Sequence, residues 1–108
     1  MIPRGVEVFV ATEPVDMRFG FERLGGIVRE RMRREPRSKN ALFVFIGKRG
    51  YTMKVLWWDG TGTVLLYKRL DASTFEIPKP REAGTASVVV SESTFEALLH
   101  GLRTQVVH

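Results

Sequence analysis

Two glycine-containing tetrads, Gly47-Lys48-Arg49-Gly50 and Asp59-Gly60-Thr61-Gly62, divide the middle of the chain into three apolar runs. Glycine supplies the backbone freedom that tight hairpin turns need, so runs flanked in this way pair with their neighbours in sequence. Ala41 to Ile46 is apolar throughout, which predicts a short strand buried on both faces. Tyr51 to Trp58 sets Met53, Val55 and Trp57 against Lys54, Leu56 and Trp58, the two-residue alternation of a strand. Residues 64–70 give a third strand, residues 74–77 a fourth ended by Pro78, and residues 86–90 one more. Near the N-terminus, Val6, Val8 and Val10 alternate with Glu7 and Phe9 in a further strand, closed by Pro14. The even strand–turn–strand spacing predicts a twisted antiparallel meander of five or six strands.

Helical signals flank that sheet. Asp16 is a good N-cap, and Met17, Phe21, Leu24, Val28 and Met32 recur at three- and four-residue steps. This predicts one long amphipathic helix over 16–34, stopped by Pro36. Gly20, Gly25 and Gly26 lie inside it, so packing must hold it, with close approach to the sheet or a kink as the two uses of the glycines. Ser91 or Ser93 caps a short C-terminal helix whose apolar side is Phe95, Leu98, Leu99 and Leu102, and Ser93 to Glu96 fits a capping box. Residues 103–108 are expected to fray. The expected class is α+β: the meander, the long N-terminal helix across one face and the short C-terminal helix. At 108 residues this is one domain, 1–108.

Charge is concentrated. Between Arg29 and Lys54 stand nine basic residues (Arg29, Arg31, Arg33, Arg34, Arg37, Lys39, Lys48, Arg49 and Lys54) and two acids, Glu30 and Glu35. The rest of the chain holds eight basic and ten acidic residues, so the formal charge of +5 has a local origin. A local excess of this kind is the electrostatic footprint of a polyanion site, or else a solvated helix end followed by a charged loop. Lys48 and Arg49 on a hairpin tip have the same two readings.

Catalytic constellations are scarce. Cysteine is absent, and the two histidines, His100 and His108, stand at a helix end and at the last residue. No disulfide, no cysteine zinc site and no Ser–His–Asp arrangement is expected. Asp16, Asp59 and Asp71 are the residues that could hold Mg²⁺ for nuclease chemistry, but they are better read as a cap and two turn residues. Asp59-Gly60-Thr61-Gly62 lacks the lysine and the following helix of a phosphate loop. No catalytic residue, metal or cofactor is assigned. No apolar run approaches the ~20 residues that cross a bilayer, and a cytoplasmic protein with no membrane partner is expected. Trp57 and Trp58 are consecutive and so face opposite ways on a strand. One is core; the other packs, stacks on a base or anchors a partner.

Several blocks together resemble one family: Asp16-Met17-Arg18-Phe19-Gly20-Phe21, Leu42-Phe43-Val44-Phe45, Lys54-Val55-Leu56-Trp57-Trp58-Asp59-Gly60 and Leu66-Tyr67-Lys68-Arg69-Leu70. The chain is similar along nearly its whole length to the TnpB-type (Orf2-like) accessory proteins of the insertion sequence 66 family. This resemblance implies a small protein that works beside a larger transposase, which itself carries the catalytic Asp-Asp-Glu triad. The family offers no catalytic residues to carry over. Phe19 stands where its members commonly have a cation, leaving Arg18 as the matching charge. The expected function is a non-catalytic transposition accessory. It would bind DNA phosphates through Arg18 and the nine basic residues above, with the transposase and other proteins of the same element as its protein partners and a homo-oligomer as a further expected form. The alternatives are an adaptor that holds the transposase through Trp57 or Trp58 without touching DNA and, more weakly, a metal-dependent nuclease.

Overall fold

A computed structural model describes residues 2–103. In chain order it contains β1 (Glu7–Ala11), α1 (Phe21–Glu30), β2 (Ala41–Ile46), β3 (Thr52–Trp58), β4 (Thr63–Arg69), β5 (Ser87–Val90) and α2 (Glu92–Leu99). The strands form one five-stranded sheet in the order β4-β3-β2-β1-β5. The class is α+β, and β2, β3 and β4 form the meander that their turns predict.

The sheet is mixed, however, where an antiparallel one was expected. β1 pairs with β2 in parallel, from Glu7 opposite Ala41 to Val10 opposite Val44. The connection through α1 carries the chain back so that β2 starts at the end where β1 started, which a parallel pair requires. β5 then joins the free side of β1 antiparallel, with Val8 opposite Val90. β1 is thus an interior strand with both faces covered: Val8 and Val10 lie in one apolar layer, Phe9 and Ala11 in the other, and all four are buried. Residues 74–77 are not a strand. Phe75 is instead buried, and its N–H donates to the Gly50 carbonyl at 2.6 Å.

The sheet separates two apolar layers. On one side Val8, Val10, Val44, Val55 and Trp57 pack with Phe95 and Leu98 of α2. On the other, Phe9, Phe43, Phe45 and Leu56 pack with Leu24 and Val28 of α1. All six residues of β2 are buried, as a continuous apolar run between two layers must be. The Phe9 and Phe43 rings, adjacent in the parallel register, stack with centroids 5.4 Å apart.

The expected long helix over 16–34 is also corrected: α1 has ten residues, with Gly20 as its N-cap. Asp16 caps a local turn instead. Its Oδ1 accepts the Arg18 N–H at 2.8 Å, and its Oδ2 lies 2.6 Å from Arg18 Nη2. Met17 and Phe19 still reach the α1-side core, but from a loop, and Phe21 is exposed. At the other end Arg33 has φ +60°, a left-handed conformation that no α-helix continues through. The paired glycines do not mark a close approach of the helix to the sheet. A Cβ at Gly26 would meet open space, and one at Gly25 would touch only Pro36 Cγ, at 3.9 Å.

α2 is capped by Ser91, whose Oγ accepts the Thr94 N–H at 3.1 Å, so the Ser93–Glu96 box is not the cap. Gly101, at φ +74°, ends α2, with Leu102 N–H on the Ala97 carbonyl and Gly101 N–H on the Leu98 carbonyl. That pattern is a Schellman motif, and it turns Leu102 out of the helix's apolar side to an exposed position. Arg103 donates to Thr74 Oγ1 at 2.8 Å, and the rest of the tail expected to fray lies outside the described residues.

Candidate nucleic-acid interface

The hairpin that joins β2 to β3 is short because Gly47 and Gly50 close it, with Gly50 N–H on the Gly47 carbonyl at 2.9 Å. Gly50 has φ +85°, the conformation that a side chain would strain. This hairpin thrusts Lys48 and Arg49 into solvent. The loop before α1 is tied to the same place: Val15 bridges Gly47, and its N–H donates to the Ile46 carbonyl at 2.9 Å. Arg18 therefore lands beside the hairpin, and the last residue of β4, Arg69, completes the rim. Together they border a groove of about 390 Å³ that also includes Asp16, Tyr51 and Tyr67.

The charges in this groove hold one another in place. The Arg18 side chain and backbone N–H keep the Asp16 carboxyl far below the usual carboxylate range, with Lys48 adding a weaker pull. Arg49 Nη1 donates to the Tyr51 hydroxyl at 3.2 Å, and that bond lowers the phenol from its ordinary value. The Arg69 guanidinium sits 5.0 Å from the Tyr51 ring centroid. Tyr51 thus organises two arginines by its two ends, oxygen and π-face. Four cations here face one acid.

The long basic stretch does not converge on this groove. It is laid out along β1. Arg31 pairs with Glu13 at 3.0 Å beyond the end of that strand. Arg34 stacks 4.5 Å from the Phe9 ring centroid at its middle. Arg33, Arg34 and Lys39 then line a second groove with Glu7 and Glu35, where β1 and β2 begin. Arg29 faces Glu35 at 3.8 Å, and the Arg37 N–H donates to the same carboxylate at 3.2 Å. Six residues of β2, about 20 Å of extended chain, separate this second groove from Lys48 and Arg49. Lys54 is half-buried: its Nζ donates to the Phe19 carbonyl at 2.8 Å and lies 5.5 Å from the Tyr67 ring centroid.

Of the residues expected to contact DNA, the structure gathers Arg18, Lys48 and Arg49. It sets Arg33, Arg34 and Lys39 on the second groove instead, leaves Arg29, Arg31 and Arg37 outside both, and partly buries Lys54. Sequence reasoning missed Arg69, Tyr51 and Tyr67. The strand alternation of β4, which puts Tyr67 and Arg69 on one face two residues apart, was the available signal. Trp57 is buried in the same apolar layer as the α2 side chains and is no exposed anchor, whereas Trp58 is half-buried on a groove shared with Arg4, Lys39 and Asp59. Asp59 closes its turn, accepting the Thr61 and Gly62 N–H groups at 2.9 Å each, which lowers its carboxyl. Among the described residues no three His, Asp or Glu side chains are grouped to hold a metal ion.

These features define a mixed-sheet α+β protein with a cation- and tyrosine-lined groove at one end of the sheet. The chain belongs to the IS66 Orf2-like family, whose model, described as "IS66 Orf2 like protein", matches residues 6–108. It is therefore an accessory-type protein of a bacterial insertion sequence. It is 39% identical over 104 residues to the uncharacterized protein y4hO of Sinorhizobium fredii (strain NBRC 101917 / NGR234), covering 94% of this chain and 87% of that one. It is 32% identical over 99 residues to the uncharacterized protein y4jC of the same strain, covering 92% and 81%. No solved structure matches it. No helix among the described residues is long and apolar enough to cross a membrane.

Proposed function

We propose that this protein is a non-catalytic accessory factor of transposition that holds its element's DNA by the phosphates, with Arg18, Lys48, Arg49 and Arg69 as the contact set. The observation that carries this reading is the convergence of four cations, from three separate segments of chain, on one groove with a single acid. Phosphate contacts release condensed counterions, so affinity falls by roughly 0.9 log unit per log unit of salt for each phosphate neutralised. Four contacts give a slope near −3.6 on that basis. A salt titration with duplexes from the element's ends and with scrambled duplexes tests it. The double variant Lys48→Glu/Arg49→Glu is expected to lose about two contacts' worth of slope. Absence of binding at low salt to any DNA refutes the reading.

One observation favours a second reading, an adaptor that docks on the transposase. Trp58 keeps part of its indole at a surface groove rimmed by Arg4 and Lys39, the setting in which aromatic anchors work at interfaces. Co-purification of the transposase with the wild type but not with Trp58→Ala, while DNA binding is absent, would establish that alternative.

A further inference from the structure

Resting on the DNA-contact reading above, we propose that the groove takes single-stranded DNA, with the ring of Tyr67 as the platform on which a base stacks. Tyr67 is one of the few large aromatic side chains left in the open, with 56% of its surface exposed. It lies on β4, an edge strand that pairs only with β3. Leu65, two residues earlier on the same face, packs into the α1-side core. Tyr67 lies further along that face, among cations rather than apolar side chains. Its cross-strand neighbour is Lys54, and Arg69 follows on the same face about 6.7 Å away along the strand.

Alternating ring and cation is the pattern that an extended strand of nucleic acid meets. A base offers a π-face to an aromatic ring, and its phosphate then falls to the next cation along. A duplex cannot use Tyr67 in this way, because its bases are already stacked and paired. It can use only Arg18, Lys48, Arg49 and Arg69 as charges. Both tyrosine rings carry a cation, Arg69 at 5.0 Å from the Tyr51 centroid and Lys54 Nζ at 5.5 Å from the Tyr67 centroid, but Tyr51 is half-buried with its hydroxyl held by Arg49, so it is a positioning residue for its two arginines, whereas Tyr67 keeps over half its surface open to a base. Discrimination between single and double strands therefore resides in Tyr67.

Fluorescence anisotropy with a labelled oligo(dT), a duplex of equal length and an oligo(U), each at low and moderate salt, tests the proposal. The expected result is tighter binding of oligo(dT) than of the duplex. Tyr67→Ala should weaken oligo(dT) binding by between about five- and 150-fold, the range for loss of one stacked base, and leave duplex binding unchanged. Tyr67→Phe should retain the wild-type preference. Thermal melts of both variants confirm the fold. Equal losses for oligo(dT) and duplex in Tyr67→Ala, or a wild type that prefers duplex, overturn the single-strand assignment while the phosphate reading stands. Tighter binding of oligo(U) than of oligo(dT) overturns the choice of DNA. No binding to any of the three overturns both readings together.

Discussion

Replacing Gly47 by alanine is expected to destabilise the protein and loosen its cationic groove in one step. Gly47 is buried where the loop before α1 crosses the β2–β3 hairpin. A Cβ built there would overlap Thr52 Oγ1 and lie 2.8 Å from Met17 Cγ. Thr52 cannot simply withdraw, because its carbonyl accepts the Gly47 N–H at 3.0 Å and its side chain is buried. Met17 is more compliant, but it stands between Asp16 and Arg18, so its displacement moves the Arg18 guanidinium away from Lys48 and Arg49. Forcing one extra carbon into a packed site costs about 1–3 kcal/mol. For a chain of this size that is a fall in melting temperature of roughly 4–12 °C. Thermal and urea denaturation measure the loss, and an unchanged urea m-value would assign it to the folded state. Thr52→Ala removes the closest overlapping atom, so the double variant should be more stable than the two single losses added together predict. A Gly47→Ala protein that melts with the wild type, or strict additivity with Thr52→Ala, would refute the steric argument.

Gly26→Ala should act in the opposite direction, raising stability by up to about 1 kcal/mol, because the new methyl enters open space in a helix interior; a melting curve decides it. Phe43→Ala should cost about 3–5 kcal/mol by urea denaturation, since the ring is wholly buried and stacked on Phe9. Asp16→Asn should lower the melting temperature at neutral pH. The Asp16 carboxyl is held low in the folded protein by Arg18, so its stabilisation is complete above the ordinary aspartate pKa of about 3.9. The gap between wild type and variant should then be constant above about pH 5 and shrink as the solution is acidified through and below pH 4. A gap that widens on acidification would show that the Asp16–Arg18 pair is not its source.

The meander was legible because its evidence is local. A glycine-bracketed turn and a two-residue alternation each act within a few residues, and they placed β2, β3 and β4 to within a residue or two at each end. The parallel pairing of β1 was not legible, because no local signal records which way a strand returns after a helix. The helix start was misplaced for a subtler reason. Met17 and Phe21 have helical spacing, yet the Asp16 carboxylate finds its hydrogen bond two residues on, in a turn, and Met17 and Phe19 reach the core from there. The basic stretch misled because closeness along the chain was taken as closeness in space. β2 runs through that stretch and carries its two halves to opposite ends of the sheet, while Arg69, outside it, is folded back beside Arg49. Hydrogen bonding by Tyr51 and stacking by Arg69 are tertiary relations between residues that look unremarkable one by one.

The position of β1 bears on how the chain is made. Among the described strands it is the first to be synthesised, yet both its neighbours come later: β2 begins at Ala41 and β5 at Ser87. Until Ser87–Val90 is available, a strand with four buried residues has one side of its backbone unpaired, which is a template for association between nascent chains. Pairings this distant in sequence slow folding, because loop closure must precede the contacts that reward it. A ribosome-bound or truncated chain ending before residue 87 is therefore expected to be prone to aggregation, and completion of the C-terminal strand is the event that protects the sheet.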